Sequence, residues 1–145
     1  MSVSYIQLER LQPEGNVVVV QENGALLFDT VVSHEGTLIS YNAGTGVITF
    51  NEAGYYYIDW YVAPQFSLST NGSNWAIRTN LSQLTIIGSS HIKVGVTTGF
   101  AILDVQANET ARLVNVSDSA FYLSAAVKSK AGLIVYSVAA LSASS

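Results

Sequence analysis

Cysteine is absent from the 145-residue sequence. No disulfide can hold the chain together and no thiolate can serve a metal, so stability must come from packing. Charge is scarce as well. Lys, Arg, Asp and Glu make up 11% of the residues, against roughly 25% in an average soluble domain. The basic residues Arg10, Arg78, Lys93, Arg112, Lys128 and Lys130 are scattered, with no basic run. That excludes the clustered positive face that nucleic acid requires, and it offers little to an anionic membrane. No apolar run approaches the ~20 residues of a membrane helix, so no membrane insertion is expected. Met1 to Arg10 lacks the basic-then-apolar layout of a signal peptide.

What remains is rich in apolar residues, at 49% of the chain, with a mild net charge of −4. With so little charge, either the surface is rich in Ser, Thr and Asn, or other subunits cover part of it. The dominant signal is repeated strand. Runs at Val17 to Val20, Leu26 to Val32, Thr37 to Tyr41, Val47 to Phe50 and Gly54 to Ala63 lead to Pro64, which ends the last of them. Further runs follow at Trp75 to Leu81, Leu84 to Ile87, Ile92 to Val96, Gly99 to Val105, Ala111 to Val116, Ala120 to Val127 and Gly132 to Leu141. Turn formers such as Asn23-Gly24, Glu35-Gly36, Asn71-Gly72 and Asp118-Ser119 separate them. A spacing of roughly 8–12 residues marks an all-β sandwich or barrel. The chain reads as one domain over residues 1–145, with 1–16 an N-terminal strand or arm and 142–145 a frayed tail.

Several strands are apolar on both faces. In Gly54 to Ala63, Tyr56, Ile58, Trp60 and Val62 form one face, and Tyr55, Tyr57, Asp59 and Tyr61 the other. Phe100 to Val105 and Gly132 to Leu141 repeat the pattern; Ile134, Tyr136 and Val138 oppose Leu133 and Val135. A two-sheet sandwich offers one dry face per sheet, and no helix is expected to cover the other. The simplest cover is another copy of the chain. Burying ~1,000 Å² of apolar surface per subunit would contribute on the order of 25 kcal/mol before entropy costs. The interface candidates are Tyr55, Tyr57, Tyr61, Phe100, Ile102, Tyr136 and Val138.

Chemistry is hard to find. His34 in Ser33-His34-Glu35 sits in what reads as a turn, and His91 reads as a solvated loop residue. Zinc-type spacing is absent, and no two acids lie in a ligand or acid/base pattern. Asn42-Ala43-Gly44-Thr45-Gly46 opens a strand and is a turn, not a phosphate loop. No catalytic, cofactor-binding or metal residue is assigned. Asp59, interrupting a tyrosine stripe, reads as a hydrogen-bonded or edge-exposed acid. The stretch Gln65 to Asn80 is aromatic and amide-rich. Phe66, Asn71, Asn74 and Trp75 there are candidates for a stacking platform for a sugar or a protein receptor, the competing reading being that Trp75 caps the core.

Leu26 to Val62 resembles the complement-type and tumour-necrosis-factor-like jelly rolls. Three features carry the resemblance: Leu27-Phe28-Asp29 in an opening strand, Gly46-Val47-Ile48-Thr49-Phe50, and Gly54-x-Tyr56-x-Ile58 after a short turn. The nearest flavour is the bacterial branch, such as the C-terminal heads of collagen-like spore-surface (exosporium) glycoproteins. The resemblance implies a jelly roll of about ten strands in two sheets. It also implies assembly as a compact homotrimer, at a spore surface or otherwise outside the cell, with a structural and not an enzymatic role. Its partner would be itself, with a glycan or protein receptor as an alternative on the presented loops. Bacterial relatives often carry a collagen-like Gly-x-y tract before the head and this chain has none, which leaves a free-standing head and a head parted from its stalk both open.

Overall fold

The computed structural model describes residues 3–140. The expected end of the last strand at Leu141 and the tail at 142–145 lie outside the described residues. Thirteen strands are present: β1 (Tyr5–Arg10), β2 (Val18–Val20), β3 (Thr30–Glu35), β4 (Ile39–Asn42), β5 (Val47–Phe50), β6 (Gly54–Val62), β7 (Pro64–Ser67), β8 (Ser73–Thr79), β9 (Thr85–Ser90), β10 (Thr97–Val105), β11 (Glu109–Asn115), β12 (Phe121–Leu123) and β13 (Ala131–Ala140). Ten of them form two five-stranded sheets, ordered β10-β6-β13-β1-β3 and β4-β5-β11-β8-β9. The small sheet β2-β12-β7 is separate. The strand pairs within these sheets are antiparallel, as hairpins and jelly-roll connections allow.

The core follows from period-two alternation. On β6, Tyr56, Ile58, Trp60 and Val62 are buried. Their register partners Leu103, Ala101, Leu133 and Val135 are buried too, as are Ile6 and Leu8, which pair in turn with Val135 and Leu133. Facing them from the other sheet are Ile48, Phe50, Trp75, Ile77, Ala111 and Leu113, all in the same apolar cluster. Tyr56 enters this core directly after the turn, and its hydroxyl donates to the Glu52 carbonyl at 2.8 Å. Gly54 opens the strand, as expected.

Four expectations need correction. Leu26 to Val32 is not one strand: Leu26 and Phe28 are buried outside any named strand, and β3 begins at Thr30. Ser33-His34-Glu35 belongs to β3, and the turn falls at Gly36. Gly88-Ser89-Ser90 lies inside β9, and Ile92 to Val96 is a loop. A Cβ on Gly88 would lie 2.3 Å from the Thr98 carbonyl oxygen, so this glycine serves close approach of β9 to β10, not a turn. Of Ala120 to Val127, only Phe121–Leu123 pairs in a sheet.

Three buried polar groups had no signature in the sequence. Lys130, read as one of the scattered cations, is fully buried. Its ammonium donates to the Ser124 carbonyl at 2.8 Å and the Val127 carbonyl at 3.4 Å, closing the β12–β13 connection. Asn115 donates to the carbonyls of Val20 and Ser119. Glu109 accepts from the Ser82 hydroxyl and the Gln106 amide, each at 2.8 Å, and from the Ser82 amide. Burial alone would raise the Glu109 pKa, but these hydrogen bonds outweigh it and hold the carboxyl below its ordinary 4.5.

Two predictions follow for stability. Gly88→Ala drives a methyl group into backbone and is expected to cost about 1–3 kcal/mol in urea unfolding; an unchanged midpoint would contradict the close approach. Glu109 contributes stability that is fully present above its ordinary pKa and is lost as pH falls through the lower folded value. Glu109→Gln turns an acceptor into a donor among donors, at an expected cost of about 1–3 kcal/mol at pH 7. Its acid unfolding curve below pH 4.5 should be shallower than that of the parent; an equal slope would remove the carboxylate from this role.

Candidate assembly face and aromatic end

The outward side of the β10-β6-β13-β1-β3 sheet is built from two apolar rungs. One runs Phe100–Asp59–Ile134–Gln7, and the next Ile102–Tyr57–Tyr136–Tyr5. Asp104 opposite Tyr55 extends the face at one end, and Tyr61–Gly132–Glu9 at the other. The interface candidates thus share a single surface. Phe100 is 71% exposed, Ile102 64%, Val138 52%, Tyr136 40% and Tyr55 38%, while Tyr57 and Tyr61 are half-buried. Val138 stands at a bulge, where the register shifts between Ser137 and Ala139. The Tyr57 and Tyr136 rings pack with centroids 5.1 Å apart, which fixes both side chains on the face.

Some polar groups on this face are hydrogen-bonded to their neighbours. Tyr57 donates to the Asp59 carboxylate at 3.2 Å. Burial, and then the Asp59 charge, push the Tyr57 hydroxyl above its ordinary pKa. Tyr61 and Ser129 share a hydrogen bond at 2.5 Å, and Ser129 donates to Glu9 at 3.3 Å. A Cβ on Gly132 would lie 2.3 Å from Tyr61 Cε2, so the missing side chain lets Tyr61 lie flat across the sheet. Beside it is a shallow, open depression of about 110 Å³, bordered by Gln7, Glu9, Asp59 and Ile134.

The ligand-platform candidates do not come together as expected. Trp75 is completely buried in β8, and its indole N–H donates to Ser73 Oγ at 3.0 Å. It is a core residue and offers no face to a ligand. Phe66 lies on β7 and is exposed, its ring 5.7 Å from that of Tyr122 on β12. Asn71 and Asn74 are structural: the Asn71 side chain accepts from Ser69 and from the Asp118 amide, and Asn74 accepts from Ser89. The Thr70 hydroxyl and amide hydrogen bonds hold the exposed Asp118 carboxyl below its ordinary pKa. Tyr122 escaped the sequence reading, because its pairing with Phe66 depends on β12 lying beside β7.

His34 Nε2 lies 2.8 Å from the Ile39 carbonyl, and His91 stands exposed in the loop after β9. Among the described residues no three His, Cys, Asp or Glu side chains gather as a metal site. No helix there is long and apolar enough to cross a membrane.

No family model matches the sequence, and no curated protein matches it. The fold is similar to that of several solved structures. The globular domain of zebrafish complement 1qA protein matches with a TM-score of 0.66 at 12% identity, over 94% of this chain and 98% of that one. Eiger TNF from S. frugiperda matches with a TM-score of 0.65 at 12% identity, over 97% and 95%. The PRD1 vertex protein P5 matches with a TM-score of 0.61 at 14% identity, over 94% and 97%. The chain therefore has the complement-type and TNF-like jelly-roll fold.

The two aromatics of the expected platform should separate in experiment. Trp75→Ala is expected to cost about 3–5 kcal/mol, whereas Phe66→Ala should leave the unfolding midpoint nearly unchanged. Comparable losses at both positions would put Phe66 in the core.

Proposed function

We propose that this chain is a non-enzymatic structural module that assembles into a homotrimer through the outward face of its β10-β6-β13-β1-β3 sheet, as the head of a spore- or cell-surface protein. The observation that carries the reading is the exposure of Phe100, Ile102, Tyr136 and Val138 together on that one face. Large contiguous apolar patches on soluble proteins mark contact sites, and tyrosine-rich surfaces are typical of interface cores. The two sheets bury each other's inner faces, so no part of the described chain is left to cover this third one. The likeness in fold to complement 1qA and Eiger TNF domains supports three as the number of copies. Likeness in fold to the PRD1 vertex protein P5 is in keeping with a building role.

A ligand-binding role on the same head is the second reading. It now rests on the exposed Phe66 packed against the half-buried Tyr122, without Trp75.

Light scattering on the purified chain is expected to give three times the 15.5 kDa chain mass. Ile102→Asp and Phe100→Asp, each adding a carboxylate to the face, should give folded monomers with unchanged far-ultraviolet dichroism. A monomeric parent at micromolar concentration, or a trimer untouched by both substitutions, would remove this assignment.

A further inference from the structure

The two broad faces of the sandwich differ in charge. The tyrosine face carries Glu9, Glu35, Asp59 and Asp104 at its outward register positions and no Lys, Arg or His. The outward positions of the opposite sheet reverse this. There the only charged residues are Arg78 on β8 and Arg112 on β11. These two are direct register partners, both exposed. Like charges directly opposite on neighbouring strands destabilise a sheet, since such residues sit about 4.5–5.5 Å apart at the backbone. Nothing in the fold offsets them. The only ion pair among the described residues is Arg10–Asp29, and neither the Arg78 nor the Arg112 guanidinium has a hydrogen-bond partner there.

From this pairing we infer that Arg78 and Arg112 form a docking site for the carboxylates of an acidic polysaccharide. Each guanidinium presents a planar fork that matches a carboxylate in bidentate geometry, and two forks side by side bring four or more free donors to one spot. Beside the pair on one side lie the buried Ala76 and Val114, and the exposed or half-buried outward positions around it are mostly polar, with Thr85 opposite Arg78 and Thr110, Thr49, Ser89 and Asn74 nearby. Ile87 is the one well-exposed large apolar side chain on this face. A protein partner would want aromatic or aliphatic anchors and a pocket; a nucleic acid would want many more cations. A flat, hydroxyl-lined face with one cationic spot suits a hydrated, repeating chain of uronic acids. The face points away from the tyrosine face, so the inference does not rest on trimer assembly. Several copies held together would add avidity.

The test is binding of the full chain to immobilised polygalacturonate, with dextran, dextran sulfate and a phosphoserine peptide as comparisons, at low and moderate salt. Polygalacturonate is expected to bind and dextran not, with affinity falling as salt rises. Arg78→Thr and Arg112→Thr should each weaken binding about tenfold or more, the double variant should abolish it, and Lys128→Thr should leave it unchanged. The single arginine variants should melt no lower than the parent, since each relieves a repulsion. The monomeric Ile102→Asp variant should keep the same ranking of ligands with weaker overall retention. Four outcomes would each overturn the proposal: no retention on polygalacturonate, preference for dextran sulfate or the phosphopeptide over it, retention indifferent to both arginines, or equal loss in Lys128→Thr.

Discussion

A sandwich of two sheets has one interior, and this chain has three apolar sheet faces to keep from water. The inner faces of the two large sheets cover each other, with Trp60, Phe50, Trp75 and Leu103 fully buried between them. The third face, carrying Phe100, Ile102 and Tyr136, has no covering layer within the described chain. Strand β6 is where the conflict is sharpest, because it pairs on both sides and is apolar or aromatic on both faces. Its inward residues hold the fold together and its outward residues form the centre of the uncovered face. The scarcity of charge and the abundance of tyrosine follow from the same constraint.

Period two carried most of the sequence reading, and it worked where strands are long. Over β6 the alternation set Tyr56, Ile58, Trp60 and Val62 apart from Tyr55, Tyr57, Asp59 and Tyr61, and on β13 it set Leu133 and Val135 apart from Ile134, Tyr136 and Val138, as the buried and outward sides of those strands do, because a long strand fixes register. It failed where a glycine or a short apolar run was ambiguous. Gly88 fell between the expected strands Leu84 to Ile87 and Ile92 to Val96; its role, clearance for the Thr98 backbone, depends on how β9 crosses over into β10. Ile92, Val94 and Val96 alternate like a strand but stand exposed in a loop, since no neighbouring strand offers them a ladder. For Trp75 the sequence left a platform and a core role both open, and the structure takes the second, with the ring completely buried.

The surface chemistry was legible only in part. The tyrosine face could be read because its residues alternate within single strands. The Arg78–Arg112 pair could not, because the two are far apart in sequence and meet only through the β8–β11 register. Nothing set Lys130 apart from the other scattered cations, since its burial depends on loop carbonyls that fold over it. Long-range register is the information a single sequence withholds, and polar sites are made of it.

Both margins of the sandwich are turned over by the chain itself. The last strand of one sheet, β3, runs through Gly36 into β4, the first strand of the other, and β9 crosses back into β10 in the same way. Gly99, whose Cβ would strike the Trp60 ring at 2.1 Å, lets that second fold-over close tightly. Among the described residues, each large sheet thus ends in a strand whose own chain continues into the facing sheet, and the freest margins belong to the three- and four-residue strands β2 and β7. Open-ended, amyloid-like stacking through strand edges is thereby disfavoured, and broad-face contacts, which can close on themselves, are what remain.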